Sequence, residues 1–137
     1  MPLVPNDTDG AITRKRIEAW AAAKEKATVV ALADEASTQS AATLLAGGVT
    51  IYTQTPTAGR ALTTPTGAQL AAAVSGEVVG TSFEFTVVNL ASATHAITLT
   101  AGASGVTLVG DAVVEAATSS SFVGVFTAAD TVSIYKK

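Results

Sequence analysis

The chain has 137 residues, of which 48% are hydrophobic, 14% charged and 5% aromatic, with a net charge of −3 and no cysteine. Soluble domains carry about 25% charged residues, so the low charge predicts a surface partly covered by other subunits. The lack of cysteine excludes disulfides and thiolate metal sites, and no apolar run is long enough for a transmembrane helix. The N-terminus lacks the basic and apolar regions of a signal peptide, so we expect synthesis in a cytoplasm.

Basic residues are concentrated near the N-terminus. Five of the eight lie in the first 26 positions, among four acids, and residues 61–135 contain none. A nucleic-acid-binding face needs clustered Lys and Arg, which this distribution does not supply. The sequence therefore predicts neither a nucleic acid nor a membrane as partner.

Residues 1–36 are predicted to form an N-terminal arm. Pro2 and Pro5 keep its start extended, and the following residues, rich in Ala, Lys, Arg and Glu, favour a helix. Ile17 and Trp20 form a thin apolar stripe, too narrow to stabilise this helix alone. Trp20 either packs against the protein's own β-domain or is an anchor in a groove of another subunit. Residues 26–37 are predicted to be a strand or an extended linker.

Residues 37–137 are predicted to form a β-domain that opens with alternating strands and short helices. Thr38 is a candidate cap for a helical turn that runs through Leu45 and ends at two glycines. Residues 49–54 alternate as a half-buried strand does, and residues 61–63 are a candidate short strand. Thr66 is predicted to cap a second short helix, which ends at Gly76.

The rest of the β-domain reads as a series of short strands. They are predicted at residues 82–89, 95–101, 105–110, 119–128 and 131–137. In the fourth, Phe122 and Phe126 share one face, and Val123 and Val125 share the other. A strand that is apolar on both faces must be covered on each of them, so we expect Val123 and Val125 to contact a neighbouring subunit. Short strands separated by Gly, Ser and Asn predict a mainly β fold, specifically a jelly-roll-like antiparallel β-sandwich.

The candidates for chemistry are weak. His95 is the single histidine, and it is predicted at the start of a strand on the side of Ile97 and Leu99. Glu84 with Glu115 or Asp111 would make a carboxylate pair for glycoside hydrolysis, but nothing in the sequence brings them together. A lone histidine lacks the clustered ligands of a metal site. We therefore expect no enzyme activity, no metal and no cofactor.

The chain from Ser40 to Lys137 resembles a group of small proteins encoded by tailed phages and prophages. The matching features are Leu44 to Gly48, the Thr55-Pro56 turn, Leu62 to Pro65, Gly80 to Asn89, the Gly105–Gly110 strand, and the C-terminal strand ending in Tyr135. The resemblance excludes the arm. It implies a virion structural protein of the capsid decoration, or cement, type, located on the capsid surface.

Two functions stay open at this point. In the first, the arm binds the major capsid protein through Ile17 and Trp20, with Arg14 and Arg16 beside them, and the β-domain trimerises. In the second, the protein is a receptor- or glycan-binding module of a phage fibre or tail. The second function needs exposed aromatic side chains at loop tips, and only Tyr52 and Tyr135 are candidates.

Overall fold

The computed structural model describes residues 26–76 and 78–137. These residues form ten strands and two short helices. The strands are β1 (Ala27–Ala31), β2 (Ser37–Thr38), β3 (Val49–Gln54), β4 (Arg60–Thr63), β5 (Ser82–Asn89), β6 (Ile97–Thr100), β7 (Val106–Val109), β8 (Val113–Val114), β9 (Ser119–Ala128) and β10 (Thr131–Lys136). The helices are α1 (Ala41–Leu44) and α2 (Gly67–Ala73). The mainly β fold predicted from the sequence is confirmed.

The strands are arranged in two mixed sheets. One has six strands in the order β1-β3-β5-β9-β10-β7, and the other has four in the order β2-β4-β6-β8. The predicted antiparallel pairing is found for β5 with β9, β9 with β10, and β6 with β8. The other pairs are parallel, namely β1 with β3, β3 with β5, β10 with β7, β2 with β4, and β4 with β6, so the two packed sheets are consistent with a β-sandwich but not with a purely antiparallel one. The jelly-roll topology is accordingly not confirmed.

The parallel pairing follows from the path of the chain. From β1 to β9 successive strands alternate between the six-stranded and the four-stranded sheet. Between β1 and β6 a chain that crosses to the other sheet and returns runs again in its first direction, so neighbours such as β3 and β5 are parallel. Beyond β6 this direction is not kept, because β8 runs antiparallel to β6 and β9 runs antiparallel to β5. The same turn residues occur in hairpins within one sheet and in connections that cross to the other sheet. The sequence therefore does not distinguish these two kinds of connection.

The core lies between the two sheets. The six-stranded sheet contributes large side chains such as Phe85 and Phe122, and the four-stranded sheet contributes Leu62, Ile97 and Leu99. The Phe85 ring stacks on the Phe122 ring with centroids 5.2 Å apart and meets the Tyr52 ring edge-on at 6.3 Å. These buried rings supply much of the apolar area that stabilises so small a domain.

The two helices are held by caps. Thr66 accepts a hydrogen bond from the Gln69 amide, and the Gln69 side chain accepts one from the Thr66 amide, which makes the predicted cap of α2 a full capping box. The predicted cap of α1 is corrected from Thr38 to Ser40, because Thr38 belongs to β2 and Ser40 accepts the bond from Thr43.

The described part of the predicted arm belongs to the β-domain. β1 pairs along its whole length with β3, and the buried Gln54 side chain donates to the carbonyls of Ala33 and Glu35. Residues 27–36 are therefore integrated into the fold, and the predicted boundary at residue 36 lies after the first strand of the domain. The predicted helix, residues 11–27, lies outside the described residues except for its end, where Ala27 begins β1. Among the described helices, none is long and apolar enough to cross a membrane.

Candidate functional site

The outward side chains of the six-stranded sheet form a broad surface, which we call the outer face. The strand registers carry this face from β1 through β3, β5, β9 and β10 to β7. Between its apolar side chains lie serines and threonines. The apolar members are Val29, Val49, Ile51, Val88, Val109, Val123, Val125 and Tyr135.

The outer face carries very little charge. Among its strand residues only Glu84 is ionised, and its carboxylate accepts a hydrogen bond from the Lys137 ammonium at 2.5 Å. The Lys137 amide also donates to the Ser121 carbonyl at 2.8 Å, which fixes the chain beside β9. The single charge of the face is thus paired within the same subunit.

The predicted orientation of β9 is confirmed. Phe122 and Phe126 are buried against the second sheet, and Val123 and Val125 are half-buried on the outer face. Gly124 lies between the two valines because a β-carbon there would come within 2.2 Å of the Phe83 ring. The role of Val123 and Val125 in an oligomer interface stays a prediction. The predicted capsid-binding residues of the arm, Arg14, Arg16, Ile17 and Trp20, lie outside the described residues.

A polar network joins the β1–β2 loop to the β3–β4 loop. The Asp34 carboxylate accepts hydrogen bonds from Arg60 Nε at 2.7 Å, from the Thr57 amide at 3.1 Å and from the Thr57 hydroxyl at 2.5 Å. The Arg60 and Thr57 bonds hold the pKa of Asp34 well below its usual range. Because the Asp34 carboxylate is held by partners in the same chain, this network is a structural clamp between loops.

His95 lies outside the strand in which the sequence placed it. β6 begins at Ile97, and His95 is exposed in the preceding turn with a φ of 81°, in the left-handed region. The buried Asn89 side chain holds this turn, since it donates to the carbonyls of His95 and Val114 at 2.9 and 3.0 Å. The His95 imidazole therefore does not share the buried face of Ile97 and Leu99.

Two of the three acidic candidates are engaged in ion pairs, whereas the third, Glu115, is exposed and has no ion pair among the described residues. Glu84 binds Lys137, and Asp111 binds Lys136 Nζ at 2.9 Å. The pKa of Asp111 is lowered, first by the Lys136 bond and then by the Val113 amide. No group of three or more His, Asp or Glu side chains that would suit a metal ion occurs within residues 26–76 and 78–137.

The two tyrosines differ in access. Tyr52 is 2% exposed, and burial raises the pKa of its phenol to about 12. Its hydroxyl and the side-chain amide of the buried Gln39 have no partner among the described residues. Tyr135 is 42% exposed on the outer face. Tyr52 is therefore unavailable to a glycan or receptor, and Tyr135 stands on the sheet and not at a loop tip.

The described surface also has shallow hollows. One, of about 360 Å³, lies between α1, α2 and the start of β5 and is lined by Leu44, Leu45, Val74 and Phe83 among others. Among the described residues its lining holds no charged side chain, and its polar side chains are the hydroxyls of Ser75, Thr81 and Ser82. These described side chains include no acid or base that would serve in catalysis.

The described residues define a mainly β protein with two packed sheets, whose most extensive candidate site is an interaction surface, the outer face. No family model, no curated protein and no solved structure matches the chain.

Sequence reasoning located only part of the outer face. It identified Val123 and Val125 because β9 is apolar on both sides, but it missed Val29, Val49 and Ile51. In β3 the inward side chains are Thr50, Tyr52 and Gln54, so the β-branched residues Val49 and Ile51 face outward. The signal that would have found them is the placement of Tyr52, the largest side chain of β3, in the core.

Proposed function

We propose that this protein is a structural component of a tailed-phage virion that decorates and stabilises the capsid. In this proposal the β-domain forms a homotrimer through the outer face around Val123 and Val125. The N-terminal arm binds the major capsid protein, with Ile17 and Trp20 as apolar anchors and Arg14 and Arg16 beside them. The protein is made in the host cytoplasm, acts on the capsid surface, and is not an enzyme.

The observation that carries this proposal is the composition of the outer face. Soluble subunits are normally kept apart by surface charge, and this sheet presents valines, an isoleucine, a tyrosine and small hydroxyl side chains with one internally paired charge. Burying such a face releases ordered water from apolar surface and removes no unpaired charge from solvent. A structural subunit that is repeated on a capsid would bury such a face against its neighbours.

The separation between the arm and the β-domain supports the proposal that the arm binds the major capsid protein. The described strands begin at Ala27, and the first loop is bound to the domain by Gln54, which donates to its carbonyls, and by its own Asp34, which accepts from Arg60. The described residues thus supply two packed sheets and a hydrophobic core. Trp20 is the single tryptophan of the chain, and tryptophan is among the residues favoured as interface anchors.

The test is a comparison of capsid binding by the whole chain and by residues 26–137. We expect the truncated protein to keep a β-rich circular dichroism spectrum and its oligomeric mass, and to lose binding to undecorated capsids. Trp20→Ala should weaken binding strongly with little change in the melting temperature, and Trp20→Phe, which retains an aromatic ring, should weaken it less. Wild-type occupancy by the truncated protein would place the capsid anchor in the β-domain.

The number of copies in a purified virion separates this proposal from a fibre or tail module. A decoration protein is expected in hundreds of copies, which quantitative gel densitometry against the major capsid protein measures. A handful of copies would contradict the proposal and support a tail protein.

A further inference from the structure

The edge strand β1 presents a regular set of main-chain groups away from its sheet. The Val49 amide donates to the Lys26 carbonyl, and the Leu32 amide donates to the Thr53 carbonyl. In a parallel ladder with the observed register, these two bonds mean that the main-chain amides and carbonyls of the even-numbered residues from 26 to 32 point toward β3. The amides and carbonyls of Ala27, Val29 and Ala31 therefore point to the opposite side, where no other described strand lies.

This edge lacks the features that normally protect a strand from pairing. Natural edges are blunted by charge, proline, bulges or short length. Residues 27–32 contain no charge, proline or glycine, the pairing with β3 has no bulge, and the Val29 side chain is 65% exposed. By contrast, the edges of the four-stranded sheet, β2 and β8, have two residues each.

The outward groups of β1 are self-complementary. If two copies of β1 run antiparallel about a twofold axis at Val29, Val29 faces Val29 of the second copy and Ala27 faces Ala31. Each of these facing residues points its amide and carbonyl toward the partner strand, so every donor meets an acceptor and six main-chain hydrogen bonds form. The small side chains of Ala27 and Ala31 lie opposite each other and leave room for the two valines.

We propose that β1 is a twofold contact with a second copy of this chain, in which two six-stranded sheets join into one sheet of twelve strands. The twofold contact is separate from the trimer surface, because β1 lies three strand spacings, roughly 14 Å, from β9. It deepens the proposed function: a subunit with a threefold contact at Val123 and Val125 and a twofold contact at β1 links trimers into a continuous net.

Disulfide trapping in the whole chain tests the contact directly, since the protein has no cysteine of its own. Facing residues of a hydrogen-bonded antiparallel pair have Cα atoms about 5.5 Å apart, within the range that a disulfide spans. Val29→Cys is therefore expected to give a covalent dimer under mild oxidation. Val109→Cys, at the other edge of the same face and 43% exposed, is the matched control and should give far less dimer. Equal crosslinking of the two variants would overturn the proposal.

A second variant tests the main-chain bonds. Val29→Pro removes an amide that β3 does not use, a position where proline is tolerated on edge strands. We expect about tenfold or more weaker association between trimers in sedimentation velocity, with the trimers themselves unchanged. If Val29→Pro unfolds the protein, Ala27→Pro, which removes another outward amide, replaces it. Unchanged association between trimers with a folded variant would refute the twofold contact.

Hydrogen exchange at the Val29 amide identifies the occupant of the edge. We expect protection that is lost on dilution, as pairing with a second copy requires. Protection that persists in the dilute protein would mean that residues 1–25 of the same chain cover β1, and would overturn the proposal. If the wild-type protein forms no trimer in light scattering while Val29→Cys still crosslinks, the trimer of the proposed function fails and the β1 contact stands.

Discussion

At the scale of single residues, the polar side chains of this protein act mainly as clamps on loops. Asn89 fixes the turn that holds His95, and Gln54 fixes the loop after β1. Asp34, which lies in that loop, links it to Thr57 and Arg60. Since these side chains bind main-chain groups or each other, the loops of the domain are positioned without large apolar side chains.

We expect Asp34→Asn to lower the melting temperature near neutral pH, because the amide loses the charge-assisted bond to Arg60. The folded-state pKa of Asp34 lies below its unfolded value, so the stabilisation is fully present above the unfolded pKa. It is lost as the pH falls from about 4 toward the folded pKa. The melting-temperature difference between wild type and variant should therefore shrink in acid.

The control for this prediction is Glu115→Gln, since Glu115 is exposed and its side chain has no hydrogen bond among the described residues. The melting temperature of this variant should stay close to that of the wild type at each pH from 7 to 3. An Asp34→Asn difference that does not depend on pH would show that the carboxylate charge does not contribute to the clamp.

At the scale of elements, the two short helices depend on their caps. A helix of four or seven residues is unstable by itself, so satisfied terminal amides decide whether it forms. α2 has a reciprocal capping box with bonds of 3.2 and 2.9 Å, whereas α1 has a single cap bond of 3.4 Å. The cap of α2 is therefore the stronger of the two.

Thr66→Ala is expected to lower the free energy of unfolding by about 1 kcal/mol, since it removes the acceptor for the Gln69 amide. Ser40→Ala should cost less, because the bond that it removes is already long. Urea unfolding of both variants measures the difference. A larger loss for Ser40→Ala would mean that α1 and not α2 limits the stability of this end of the domain.

At the scale of the whole molecule, the composition of the outer face predicts that the proposed self-association is largely independent of salt. Surface charges are screened at physiological ionic strength, whereas apolar burial is not. The charge on the strands of this face, Glu84, is already paired with Lys137 in the same subunit. The proposed trimer is therefore expected to be held by apolar contacts.

We expect Val125→Lys to dissociate the proposed trimer while the β-rich fold is retained, since a lysine in that contact would bury an unpaired charge. Wild-type protein should keep its trimeric mass in light scattering from low to high salt. The control is Thr98→Lys on the exposed side of the four-stranded sheet, which should leave the mass unchanged. A wild-type monomer at micromolar concentration would contradict the trimer.

The sequence by itself determined the local features of this protein. Alternation identified the strands around Phe85 and Phe122, and the Thr66 cap identified α2, because these signals depend on neighbours within a few positions. The same parity placed Val123 and Val125 on the outer face. It did not locate β8, whose two residues are too few to show a period.

Only the tertiary structure decided how the strands pair and what the outer face contains. Parallel pairing of β1, β3 and β5 depends on a chain that alternates between sheets, and the turns of such a path have the same residues as hairpins. The pairing also brought residues 27–36 into the domain and placed Asp34 beside Arg60, 26 positions away. Contacts between residues this far apart in the sequence depend on where the two sheets pack against each other. The burial of Tyr52 between the sheets decides which side of β3 faces the core, and the local alternation of β3 does not.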